Sequence, residues 1–537
     1  LKGGVVLSEE VRITLHLNDA LYNAGILGFL RVLEKGKISY ELSDQIISFS
    51  SDEMIDKFTN AYFDTLLAMY GSETGAYRFC EALANLSRSR NAEAEKRNQM
   101  IEDVLKLMGE RMGKASYQAA CGIIKKRGEE FDFIECAKAI KTATDQETKL
   151  TLLFAFYEKF KCYLRVFQLK DIAYGCVQLY WSNLAFLHKQ KNMEEFETSF
   201  EDEFIQPIKT YKPRKTANPL TCFQCGRVLP SGIASMAWIN GLGVDVKRKA
   251  NDFYHFEVDI SPCPYCRLVY ACLPIGFYTY AREGIFVNNN HTITSLRRAN
   301  AFDPEDLRSD DSTFNCMISN FILNAELKEA KEKLANIQVL RRTESGYRVN
   351  ILSPQLLEAM YRAKRYFERL QEMKPSVLWD VLKHVLDGQK LYAYIIHSAK
   401  NALSKREPLG IYYIVLEIQT KMSHKEDCRM SYISEAKNAG FAMRCRIQSS
   451  VNEKKIAGMT YHLLNALQTG NVNRYINILA RQCASLNMDI PPVFLEMLKD
   501  EEHFLEIGNA FMIGLNLGAE KEKGNDKQER QAKEELE

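Results

Sequence analysis

The sequence predicts an α+β protein: a mixed α/β N-terminal domain with a large helical insertion and an inserted zinc-ribbon-like module, followed by a C-terminal helical bundle. Three observations predict it. Strand-like and helix-like runs alternate as far as Gly71. Long stretches on either side of the middle repeat apolar residues at helical spacing. Two Cys-x-x-Cys pairs lie in a basic segment between them. A chain of 537 residues exceeds what one core usually serves, and 46% hydrophobic with 26% charged residues is ordinary globular composition.

The first strand is VRITLHL. It leads into NDALYNAGILGFLRVLEKG, where Leu21, Ile26, Leu27 and Leu30 fall at helical spacing, Asn18 or Asp19 caps the start and Gly36 the end. KISYEL reads as a second strand. Ser50 to Glu53 then has the form of a capping box before an aromatic-rich helix ending near Gly71. From about 75 to 190 the pattern is helical. Leu153, Phe156, Phe160, Tyr163 and Phe167 form an aromatic stripe whose simplest role is core packing.

Composition changes near residue 205. Residues 194 to 203 are acidic, whereas residues 206 to 250 carry Lys209, Lys212, Arg214, Lys215, Arg227, Lys247, Arg248 and Lys249 against Asp245, a net charge of +7. Pro207, Pro213 and Pro219 make the start of that segment extended or loop-like. Beyond it RLVYACL and GIFV read as strands, NNNHT as a turn, 323 to 340 as a helix and GYRVNIL as an edge strand. Helices resume at SPQLLEAMYRAKRYFERL. Gly470 ends one and Asn471 caps the next. The expected domains are therefore 1–205 (α/β and helical), 206–275 (zinc-ribbon-like module), 276–350 (remainder of the N-terminal domain), 351–518 (helical bundle) and 519–537 (charged, disordered tail).

Cys222-Phe-Gln-Cys225 and Cys263-Pro-Tyr-Cys266 are separated by 37 residues. Each turn aims two thiolates at one point, and two such knuckles supply a closed tetrahedral set. They are expected to hold one zinc ion, structural because no coordination position is left for water. A redox dithiol would need only one such pair, opening a helix after a strand. The cysteines at 80, 121, 136, 162, 176 and 483 sit singly among apolar residues and are expected in the core, as is Cys272.

Nothing in the sequence announces catalysis: it has no HExxH, no GxxxxGK[ST] and no GxSxG, and its nine histidines are scattered. The chain is read as a non-enzyme. A net charge of +2 argues against coating nucleic acid through a uniform field, so contact must come from local patches. One patch is the module. The other lies between Lys437 and Met488, where Lys437, Arg444, Arg446, Lys454, Lys455, Arg474 and Arg481 oppose Glu453. Such a face can hold a phosphate backbone, be a solvated surface, or dock on an acidic neighbour. With no secretory leader and no long apolar span, a cytoplasmic location is expected.

NDALYNAGILGFLRVL, the helix ending LLAMYG, the two knuckles in order, and the run from KIAGMTYHLLNALQTGN to FMIGLNLG together resemble the CXXC-CXXC family of CRISPR-associated proteins. The resemblance implies the large subunit of type I-B Cascade, an RNA-guided surveillance complex. Its expected partners are the guide RNA with its 5′ handle, the backbone subunits, target duplex with its displaced strand, and a helicase-nuclease recruited after target binding. It further implies reading of a protospacer-adjacent motif in duplex DNA and help in opening that duplex, while base pairing reads the rest. Candidate readers are Lys247, Arg248 and Lys249, the polar run Asn288, Asn289 and Asn290, and Lys209 to Lys215, because Arg suits guanine and Asn adenine. A zinc-ribbon transcription or RNA-processing factor would use the same knuckles without so long a helical half. A metal-dependent nuclease would need carboxylate or histidine ligands that the sequence does not offer.

Overall fold

The computed structural model describes residues 12–89, 94–182, 184, 196–215, 219–230, 235–242, 261–280, 282–301, 338–405, 407–423, 428–450 and 454–517. The chain divides into two compact units, Leu1–Pro304 with Asn336–Ile351 and Glu305–Ala335 with Leu352–Glu537. The architecture is mixed helix and sheet, with two small antiparallel sheets in the first unit and helices in the second.

The first unit opens with β1 (Arg12–His16), α1 (Ala20–Lys35), β2 (Tyr40–Ser43), β3 (Ile46–Ser50) and α2 (Ser51–Tyr70). Asp19 is the cap of α1, accepting from the N–H groups of Leu21 and Tyr22, and the helix ends at Gly36. The strand expected at KISYEL is half of a hairpin. SFS is the end of β3, which lies between β1 and β2 and turns Ile47 and Phe49 into the core. The capping box does not form. The Ser50 hydroxyl makes no cap bond, and Glu53 instead accepts from the Ser39 N–H and the Lys57 ammonium.

Six helices follow: α3 (Gly75–Arg88), α4 (Ala94–Met112), α5 (Ala115–Lys126), α6 (Phe133–Thr142), α7 (Gln146–Cys162) and α8 (Leu164–Ile172). The aromatic stripe spans two of them. The chain breaks at Tyr163, where φ is −105° and ψ is 12°, and only then places Phe167 against Phe160 with ring centroids 4.5 Å apart. Tyr163 itself stays half-buried, its hydroxyl donating to Glu129, which also pairs with Lys159. Cys80 and Cys176 are buried, but Cys162 is exposed, because it ends α7 on the outer side of this break.

A second correction concerns RLVYACL. Its first five residues end α9 (Pro264–Ala271), Cys272 caps that helix and Leu273 opens a further helical turn, and all but Arg267 are buried. An apolar run this short looks the same as a core strand or a core helix, and Pro264 at the first helical position decides for helix. The helix meets α1 backbone to backbone. A Cβ on Gly25 would lie 2.6 Å from the Val269 carbonyl oxygen, and one on Gly28 would lie 2.2 Å from that of Cys272. The second sheet runs β4 (Tyr278–Tyr280), β5 (Glu283–Asn288), β6 (Gln338–Thr343) and β7 (Gly346–Ile351), all antiparallel, with β7 at the edge as GYRVNIL suggested. The short helix α10 (Ile293–Ala299) follows β5. The helix expected at 323 to 340 falls outside the described residues as far as 337, and Gln338 onwards is strand.

The second unit contains α11 (Pro354–Arg362), α12 (Lys364–Met373), α13 (Pro375–Leu386), α14 (Tyr392–Ser404), α15 (Gly410–Ser423), α16 (Cys428–Ser450), α17 (Lys454–Gln468), α18 (Val472–Ser485) and α19 (Glu501–Leu515). Gly470 takes φ +63° and the Asn471 side chain accepts from the Arg474 N–H, the stop and the cap read from sequence. The buried α19 lies against α16 with glycines at the crossing: a Cβ on Gly514 would fall 2.0 Å from the Lys437 carbonyl oxygen. Within this core Glu506 is buried and accepts from Arg429 at 3.2 Å and from the Tyr392 hydroxyl at 3.2 Å. A buried carboxylate so paired satisfies its charge. Among the described residues no helix is long and apolar enough to cross a membrane.

Candidate metal centre

The sulfurs of Cys222, Cys225, Cys263 and Cys266 all lie within 4.8 Å of one another. Four sulfurs around a tetrahedral ion with bonds of about 2.3 Å would sit about 3.8 Å apart, so the set fits a metal ion without rearrangement of the chain. Three of the four residues are buried, and Cys225 is half-buried.

The two knuckles are built differently. Cys222 and Cys225 sit in a tight hairpin in which Thr221 bridges Val228, the Cys222 N–H donates to the Arg227 carbonyl at 2.7 Å, and Leu229 N–H donates to Leu220. Gly226 closes the turn at φ +72°, a conformation that favours glycine. Cys263, by contrast, is the N-cap of α9, and Cys266 lies in its first turn. The second pair is thus part of the core, at the positive end of a helix where negative sulfur is favoured.

Neighbouring groups complete the shell. The Tyr22 hydroxyl, from α1, is 3.3 Å from the Cys266 sulfur. Burial, and after it the nearby Cys266, pushes that hydroxyl well above its ordinary pKa, which keeps it a donor. Arg227 donates to the Cys225 sulfur at 3.4 Å and to the Thr14 carbonyl at 2.8 Å, and its guanidinium lies over the Tyr265 ring. Such partners orient ligands and offset the excess negative charge of four thiolates. In the bare thiol cluster Cys225 is held low by hydrogen bonds from Cys222 and the other thiols. Cys266 and Cys263 are pushed up as their partners, so occupation by a metal releases protons. Of these supporting residues, Arg227 was singled out from sequence only as one of the basic segment's cations and Tyr22 not at all; Tyr22 lies one turn before the Gly25 and Gly28 contact, and that small-residue spacing was the available signal.

The structure separates the nucleic-acid candidates. Lys212, Arg214 and Lys215 are exposed on an irregular stretch, whereas Lys209 is paired with Glu201 at 2.7 Å. Lys247, Arg248 and Lys249 lie outside the described residues. Asn288 is a correction: it is 2% exposed in β5, bonded to Asn23 and Gln338, because the strand continues one residue into the asparagine run. Asn289 and Asn290 are half-buried, the latter's carbonyl accepting from Gln45. In the second unit Arg474 and Arg481 are exposed and seven residues apart on α18, hence on one face. Lys454 and Lys455 open α17, Arg446 is exposed, and Arg444 is half-buried with its guanidinium on the Leu515 carbonyl. Lys437 lies over the Tyr413 ring near Glu417, whose carboxyl is pushed up to about 7 by burial, opposed by Arg369, Lys437 and Arg365.

A protein built round a closed four-thiolate centre, with its second knuckle set into an α+β core, is the class that fold and site define. Residues 215–278, which hold both knuckles and α9, match the model of a CRISPR-associated protein family, Cas_CXXC_CXXC. That is the family the sequence resembles, and the match lies on the segment that carries the cysteine cluster. No curated protein and no solved structure matches it.

Proposed function

We propose that the protein is the large subunit of a type I-B RNA-guided surveillance complex, with one structural zinc ion on Cys222, Cys225, Cys263 and Cys266. In this role it recognises a short motif in duplex DNA, helps to open the duplex and holds the displaced strand. The observation that carries the reading is the family match across a complete four-cysteine cluster. All four donors are thiolates, so zinc bound there has no open position and supplies folding energy, not chemistry. Cys263 and Cys266 present one half of the site from the core, Tyr22 and Arg227 orient and partly neutralise it, and the first knuckle closes it. The exposed cations Lys212, Arg214 and Lys215, with Arg474 and Arg481, suit phosphate backbones. Lys247, Arg248 and Lys249 remain candidates for motif contact on the strength of sequence.

Co-expression with backbone subunits and a guide RNA tests the proposal. The chain should copurify in a complex containing that RNA and should confer duplex binding that depends on a short motif beside the target. A chain that never joins such an assembly, while remaining folded, would overturn it.

A further inference from the structure

The basic stretch and the first knuckle are joined by their own contacts. The Arg214 N–H donates to the Leu229 carbonyl at 3.2 Å, and the Tyr211 hydroxyl donates to the Val228 carbonyl at 2.6 Å. Lys212, Arg214 and Lys215 therefore project from a strip of chain laid along the hairpin that carries Cys222 and Cys225. That hairpin buries little of its own: Cys222 and Leu229 are covered, but Leu220 is 55% and Phe223 is 38% exposed. Its other fastenings are polar contacts, Gln224 to Asp19 at 2.9 Å and Arg227 to the Thr14 carbonyl, and two contacts on rings of α9, Phe223 stacked on Tyr270 at 6.3 Å and the Arg227 guanidinium over Tyr265. The second knuckle has a seat of its own, since α9 packs on α1 by backbone contact at Gly25 and Gly28.

We propose that the metal ion acts as the fastening that fixes the basic arm Lys212–Lys215 on the first unit, and so sets where this arm meets a phosphodiester backbone. The proposal rests on the nucleic-acid reading above for its ligand and on the contacts just described for its geometry. Metal loss should free the hairpin and the arm together while leaving α9 packed. Tyr211, whose ring is edge-on to Tyr265 in α9 at 6.1 Å, is the point about which the arm comes loose.

The test uses full-length protein, metal-loaded and chelator-stripped, followed by amide hydrogen exchange and by binding to a duplex oligonucleotide. On stripping, the amides of Arg214, Cys222, Gly226 and Leu229 should lose protection by roughly tenfold or more, while those of Arg267 to Gly276 keep theirs. Duplex affinity should fall to that of Lys212→Ala/Arg214→Ala/Lys215→Ala, and the triple variant should be insensitive to stripping. Cys225→Ser, which alters only the outer knuckle, should reproduce the exchange pattern if stripping proves too severe. Equal loosening of α9 and the hairpin in both preparations, or a hairpin that stays protected without metal, would overturn the proposal. So would a stripping penalty that persists undiminished in the triple variant. If no form binds duplex, the nucleic-acid reading fails, and the exchange pattern still decides whether the metal positions the arm.

Discussion

At Lys170 a single side chain works against the fold. It is 1% exposed, its ammonium sits 4.5 Å from the centre of the Phe196 ring, and burial lowers its pKa to about 8. Between that value and the ordinary lysine value the unfolded chain binds a proton that the folded chain does not, so stability should rise with pH across this window. Below it the charged form costs on the order of 3 kcal/mol. Lys170→Met should recover part of that cost at neutral pH and flatten the slope between pH 8 and 10 in denaturant titrations. A variant less stable than the parent at pH 7 would contradict this. Gly28 is the opposite case. Since its Cβ would stand 2.2 Å from the Cys272 carbonyl oxygen, Gly28→Ala should destabilise the first unit by about 2 to 3 kcal/mol, read as a lowered unfolding midpoint.

Among the elements, those with punctuation were legible from sequence. Asp19 and Gly36 bound α1, Gly470 and Asn471 separate α17 from α18, and β7 keeps the exposed pattern of an edge. The four-cysteine cluster was legible because knuckle spacing is itself a geometric statement. Elements decided by tertiary burial were not. After Arg267 the run LVYACL is apolar on every side, so its period carries no signal. The Ser50 to Glu53 pattern was drawn away from capping by Lys57, one turn on, and by the Ser39 N–H, which the hairpin brings back to Glu53 from outside the helix. At the break the Tyr163 hydroxyl reaches Glu129, a contact no periodicity encodes. Helix content also makes a prediction for the second unit. A fragment from Leu352 to Leu517 retains the Gly440 and Gly514 crossing and the Arg429–Glu506 pair, so it should be soluble, strongly helical by circular dichroism and cooperative in unfolding. Aggregation, or a broad transition without cooperativity, would show that residues outside the fragment are needed for its core.

For the whole molecule the argument turns on charge that is local and not global. The chain has a net charge of only +2, yet residues 206 to 250 carry +7, so the duplex binding that the proposed function requires should depend on a few named cations. Metal analysis of freshly purified, reduced protein should give about one zinc per chain, since one closed cluster accounts for four thiolates. On that metal-loaded protein, two triple variants divide the basic segment: Lys212→Ala/Arg214→Ala/Lys215→Ala on the arm held by the first knuckle, and Lys247→Ala/Arg248→Ala/Lys249→Ala between the knuckles. Each removes up to three phosphate contacts, so each should lower the salt dependence of duplex binding by roughly 2 to 3 units of slope. A phosphate contact is lost equally on every sequence, whereas a base contact is lost on one. If a residue among Lys247 to Lys249 reads the adjacent motif, its variant should lose about 1 to 3 kcal/mol on motif-bearing duplex alone, while the arm variant loses affinity uniformly. Both variants should still assemble with guide-bound partners, because neither replaces a cysteine of the cluster or a residue of α9. Titrations at several salt concentrations, on duplexes with and without the motif, read all of this out. Unchanged slope in both variants would place the DNA contact elsewhere, with Arg474 and Arg481 on α18 the next residues to replace.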